Sequence, residues 1–100
     1  MIYLVDLVKQ VYERVGSLVD EETNRRFKEL NIITEVLQPS EGFIVVKFQP
    51  LSPYSPLAVN TGRAIRAAAL SVQGVKSVKV ECRGHMQDEL VNRLVNTSSV

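Results

Sequence analysis

The sequence predicts an α+β fold. It reads as a two-layer α/β sandwich with a small mixed sheet, helices on one face, and the order helix-strand-strand-helix-strand-helix. Three observations predict it. Two runs rich in β-branched residues, NIITEVLQ and GFIVVKFQ, flank Pro39-Ser40-Glu41-Gly42, which is turn chemistry and makes the pair a hairpin. A helical stretch then separates this hairpin from a third alternating run, VKSVKVEC. Amphipathic stretches also sit near both ends, and mixed helices and strands that include a hairpin argue for helices laid on one side of a sheet.

The first helix follows from Leu4, Leu7, Val8, Val11, Val15 and Leu18, which recur at three- and four-residue steps, with Asp6, Lys9, Glu13 and Arg14 on the other side. It frays near Gly16. Asp20 to Leu30 is polar and reads as a turn or short helix, with Asp20 as an N-cap. In the second strand, Lys47 and Gln49 alternate with Val46 and Phe48, giving one wet and one dry face.

The middle helix is expected from about Pro56 to Val72. Ala58, Thr61, Ile65, Ala68, Ala69 and Val72 form its apolar stripe, and Gly74 is its C-cap. Val78, Val80 and Cys82 share one face of the third strand, with Ser77, Lys79 and Glu81 on the other. In GHMQDELVNRLVN, Met86, Leu90 and Leu94 lie four apart with Val91 and Val95 beside them, which predicts a last helix.

Length and charge bound the function. The chain has 100 residues, the size of one domain over 1–100. Twelve basic residues stand against 11 acidic ones, for a net charge of +1. That balance does not mark out nucleic acid or an anionic membrane as a partner. A lone cysteine, Cys82, excludes an internal disulfide and suits a reducing compartment. The N-terminal stretch is too short and too charged to span a bilayer, so a soluble cytoplasmic protein is expected.

The loop LSPYSP, Leu51–Pro56, is the first candidate site. Pro53 and Pro56 fix the geometry of Tyr54 and Ser55 ahead of the middle helix. Ser55 before Pro56 is a strong helix start, with the hydroxyl as N-cap and proline at the first helical position. A helix N-terminus also favours an anion or a thiolate. A cysteine at Ser55 would have a lowered pKa and ligate metal, whereas a neutral hydroxyl is a poor ligand for soft metals.

Other candidates have plainer readings beside them. Cys82 and His85 in CRGH are half of a zinc-type ligand set, which only a symmetric dimer would complete. Otherwise Cys82 continues the dry face of its strand and His85 starts the last helix. Asp20, Glu21 and Glu22 suit a hard cation or, more simply, a solvated turn. Arg63 and Arg66 on the middle helix suit an acidic partner or a plain wet face. With one histidine, no elbow motif at any serine, no Walker loop and no GxGxxG, an enzyme is not expected.

From about Val15 to Asn96 the chain resembles the small iron–sulphur cluster assembly domain family that includes the SufT and PaaD proteins. The stretches that carry the likeness are SLVDEETNRRFKELNIITEV and GFIVVKFQPLSPYSPLAVNTGRAIRAAALSVQGVKSVKVEC. The family has a DPE-like acidic turn before its first strand and a Thr/Ser-Pro-x-Cys-Pro-like loop capping the central helix. A GV-x-x-V-x-V strand follows and, in some members, an Asn-containing last helix. Here the turn proline falls on Glu21, Asp20 is retained, and the loop cysteine falls on Ser55.

The resemblance implies a non-catalytic carrier or adaptor that delivers clusters to client proteins. Asp20, Ser52, Tyr54 and Ser55 would be its partner or cluster-site loop. No tightly bound cofactor is expected, and an iron–sulphur cluster would be transient. Partners would be an iron–sulphur scaffold, a nucleotide-dependent carrier or an apo-protein client, with no membrane or nucleic acid. A homodimer is also expected, since small sheets tend to cover their edges. Two alternatives remain. The element order also suits a KH-like RNA-binding module, although the chain lacks the GxxG loop such domains use. The third reading is a structural, oligomeric protein that has lost metal binding.

Overall fold

The computed structural model describes residues 6–97. Six elements follow one another as α1 (Leu7–Gly16), β1 (Ile33–Ser40), β2 (Phe43–Phe48), α2 (Ala58–Leu70), β3 (Ser77–Cys82) and α3 (Asp88–Asn96). This is the α+β architecture and the element order expected. Leu4, read as part of the first helix, lies outside the described residues. Asp6 caps α1, its carboxylate accepting from the Val8 amide at 3.0 Å.

The sheet order is β1-β2-β3. β1 and β2 form the antiparallel hairpin, with Val36 opposite Val46 and Leu37 opposite Val45. β2 and β3 are parallel, with Ile44 opposite Val78, Val46 opposite Val80 and Phe48 opposite Cys82. α2 makes the crossover that a parallel pair requires. In register, Ile44, Val46 and Phe48 join Val78, Val80 and Cys82 as one dry surface. Against it the helices bury Val11 and Val15, Ile65 and Ala69, and Val91 and Val95. The other sheet face carries charge, including an ion pair between Lys47 and Glu35 at 3.3 Å.

One helical glycine sets how closely these layers approach. Gly62 lies buried within α2, and a Cβ there would stand 2.6 Å from a methyl of Val95 and 3.3 Å from the Phe48 ring. Its missing side chain lets α3 and the sheet close on α2, against a helix-propensity penalty of about 1 kcal/mol.

Several boundaries differ from expectation. α2 begins at Ala58, with Leu57 as a cap residue that makes no side-chain hydrogen bond, rather than at Ser55-Pro56. It ends at Leu70 with Ser71 as C-cap; Gly74 lies three residues farther on, with φ of +99° in a separate turn. Asp20 does not start a helix. Its Oδ2 accepts from the Thr23 amide at 2.9 Å and the Thr23 hydroxyl at 3.0 Å, closing a single turn that ends at Asn24 with φ of +60°.

In α3, Val91 and Val95 face the core, whereas Leu90 and Leu94 stay exposed; Met86, read as part of this helix, lies exposed in the turn before it. The reason is a pair of asparagines. Asn96 Oδ1 accepts from the Val80 amide at 2.8 Å and Asn96 Nδ2 donates to the Val80 carbonyl at 2.7 Å. One helical turn earlier, Asn92 engages the amide and carbonyl of Cys82 in the same way. Both side chains occupy the outer edge of β3, and this rotates α3 so that its leucines turn outward.

Candidate functional site

Between β2 and α2 the chain turns on side-chain hydroxyls. The Tyr54 amide donates to Ser52 Oγ at 3.1 Å and the Leu57 amide to Ser55 Oγ at 3.3 Å. These local turns replace the predicted helix cap and use the same serine oxygen. Pro53 and Pro56 stiffen the backbone between them. The loop lies at the surface. Tyr54 is 70% exposed, Leu51 and Ser52 are exposed, and Ser55 is half-buried.

Two hydrogen bonds tie this loop to the segment entering α3, and a third, within that segment, orients the histidine that makes one of them. The Met86 amide donates to the Pro53 carbonyl at 2.8 Å. His85 Nε2 lies 3.0 Å from the Ser55 carbonyl, and His85 Nδ1 accepts from the Gln87 amide at 3.0 Å. Since Nδ1 is an acceptor, Nε2 carries the proton and donates to Ser55, a tautomer assigned from its partners. His85 is therefore the anchor of the loop. Sequence reasoning missed this because the contact spans thirty residues.

A small cleft of about 60 Å³ opens beside the start of α2. It is lined by Leu18, Asp20, Phe27, Leu57, Asn60 and Thr61, among others. Asp20 is nine-tenths buried there, beside the first turn of α2. The structure thus brings the acidic turn and the base of the loop to one end of one helix. Ser52, Tyr54 and Ser55 do not line the cleft. Asn60 and Thr61 do; the sequence marked Thr61 only by its place in the apolar stripe of the helix.

Neither Cys82 nor His85 is placed as a ligand. The Cys82 side chain is fully buried within the core cluster. Burial, reinforced by the charge of Asp88, pushes its thiol up to about 11, so it stays neutral at ordinary pH. Both ring nitrogens of His85 already have backbone partners. Among the described residues, no group of three or more His, Cys, Asp or Glu is arranged to hold a metal ion. No helix among them is long and apolar enough to cross a membrane.

No family model matches the chain. An uncharacterized protein of Methanocaldococcus jannaschii is 23% identical over 87 residues, which cover 87% of this chain and 92% of that one. The fold is shared with the crystal structure of a domain of unknown function, DUF59, from Bacillus anthracis. Its TM-score is 0.72 at 15% identity, over 92% of this chain and 90% of that one. DUF59 is the PaaD/SufT-like family. The solved neighbour therefore has the same fold as the family the sequence resembles.

Proposed function

We propose that this chain is a non-catalytic factor in iron–sulphur cluster assembly, acting by contact with partners and not by holding the cluster itself. The observation that carries the reading is the packing of the acidic turn at Asp20 beside Leu57, Asn60 and Thr61 at the start of α2, the helix into which the Pro-rich loop leads, within a fold shared with a DUF59 domain. In this reading Ser55 stands where the family's loop cysteine would be. Its oxygen already accepts the Leu57 amide, and a neutral hydroxyl is a weak ligand for iron. The buried thiol of Cys82 offers no alternative. What remains at the surface is a stiff, exposed loop with Tyr54 at its crest, suited to partner recognition; aromatic residues are enriched at the centres of such contacts. Partners would be a cluster scaffold, a nucleotide-dependent carrier or an apo-protein client, with the cluster as cargo.

The test is a transfer assay. A cluster-loaded scaffold and an apo [4Fe–4S] enzyme are mixed without oxygen, and recovery of enzyme activity is followed with and without this protein. Acceleration that is lost in Tyr54→Ala supports the reading. No acceleration by the unaltered chain, across several scaffold and client pairs, overturns it.

A further inference from the structure

The outer face of α3 carries two exposed leucines, Leu90 and Leu94, beside the charged Glu89 and Arg93. Leu90 is 38% exposed and Leu94 39%, one turn apart on the helix, and Met86, 67% exposed, stands in the turn just ahead of it. Met86 and Leu90 line a shallow groove of about 710 Å³ together with Gln87, Asp88, Glu89 and Arg93. Core packing does not require these apolar side chains, because Val91 and Val95 fill the interior and Asn92 and Asn96 hold β3. Glu89 and Arg93 flank the leucines four residues apart, on the same side. Neither makes an ion pair with another described residue.

We propose that this face is a self-complementary dimer surface, on which Met86, Leu90 and Leu94 pack antiparallel against a second copy, with Arg93 of each copy opposite Glu89 of the other. The charges select both the occupant and the direction. A two-fold axis at the level of Val91 brings residue 93 opposite residue 89, and 89 opposite 93, so both copies gain the same two ion pairs. The same axis sets Leu94 of each copy at the level of Asp88 in its partner, where the groove is open. A parallel pairing would set like charges together. Exposed ion pairs add little affinity but fix register, and the apolar side chains supply the attraction. The patch is small, so the dimer is weak, with a dissociation constant on the order of 10–100 µM. This surface is separate from the sheet edges, and the inference does not depend on the proposed role in cluster assembly.

Sedimentation equilibrium of the full chain from about 10 µM to about 1 mM tests it. The mass should rise with concentration toward that of a dimer. Glu89→Arg and Arg93→Glu should each weaken association at least about tenfold, because each sets like charges across the axis. An equimolar mixture of the two variants restores the pairing and should restore the dimer. Leu94→Gln removes apolar contact without adding charge, and should also give monomer. A monomer at every concentration, single variants that associate as the unaltered chain does, or a mixture that stays monomeric would each overturn the proposal.

Discussion

Asn96 satisfies both backbone polar groups of Val80, accepting from its amide at 2.8 Å and donating to its carbonyl at 2.7 Å. A side-chain amide here does the work of a neighbouring strand. Asn96→Ala should lower stability by about 1–3 kcal/mol, since two buried-edge groups lose their partners. Asn96→Asp should also destabilise, because it turns the donor toward Val80 into a second acceptor. Urea unfolding midpoints check both; an unchanged midpoint in Asn96→Ala would mean water replaces the side chain at no cost.

Cys82 makes stability fall in alkali. Its thiol is pushed up to about 11 from an ordinary 9.0, so the unfolded chain loses this proton first. The unfolded state then binds fewer protons than the folded one between these values, and stability declines as pH rises through that window. The full contribution is on the order of 2–3 kcal/mol. It is present below pH 9 and gone above pH 11. Cys82→Ala should lower stability at neutral pH through the cavity it leaves, yet show a shallower decline over that window. Denaturant unfolding at matched pH values measures the difference.

Ser55→Cys should create the faster of two thiols. The new sulphur would receive the Leu57 amide and sit half-exposed, conditions that favour thiolate, whereas Cys82 is enclosed and neutral. Iodoacetamide kinetics at about pH 8 should resolve two phases, with the fast phase absent from the unaltered chain. Equal, slow rates would show that the loop shields this position.

His85→Ala should loosen the loop with only a modest loss of global stability, about 1 kcal/mol. The readout is hydrogen exchange at the Met86 amide, which donates to Pro53 in the same strap. Faster exchange there, with the amides of β2 unchanged, is the expected pattern. Unaltered exchange at Met86 would mean that His85 does not anchor the loop.

Much of the fold was legible because its signals are local. Alternation in Val78, Val80 and Cys82 and the hairpin turn identify strands without reference to the rest of the chain, although the turn is only Glu41-Gly42, and Pro39 and Ser40, read as part of it, complete β1. The start of α2 was less legible, since a serine oxygen that accepts an amide two residues on looks the same in sequence whether it opens a helix or closes a turn. The orientation of α3 was hidden for a different reason. Five apolar residues mark a broad stripe, and only the bonds from Asn92 and Asn96 to β3 decide which part faces inward. The candidate site was half-legible. Asp20 and the loop were visible as motifs, but the cleft that unites Asp20 with Asn60 and Thr61, and the His85 strap, are products of distant chain segments.

The asparagine seal on β3 also makes the sheet one-sided with respect to growth. A strand from another molecule finds no free hydrogen-bonding groups at Val80 or Cys82, so cross-β propagation cannot begin beside them. At the other edge of the sheet, β1 carries its own obstacles, since Pro39 withholds an amide and the ladder is irregular at both ends. Removing the two asparagines would therefore open a route to fibrils that the folded chain keeps shut.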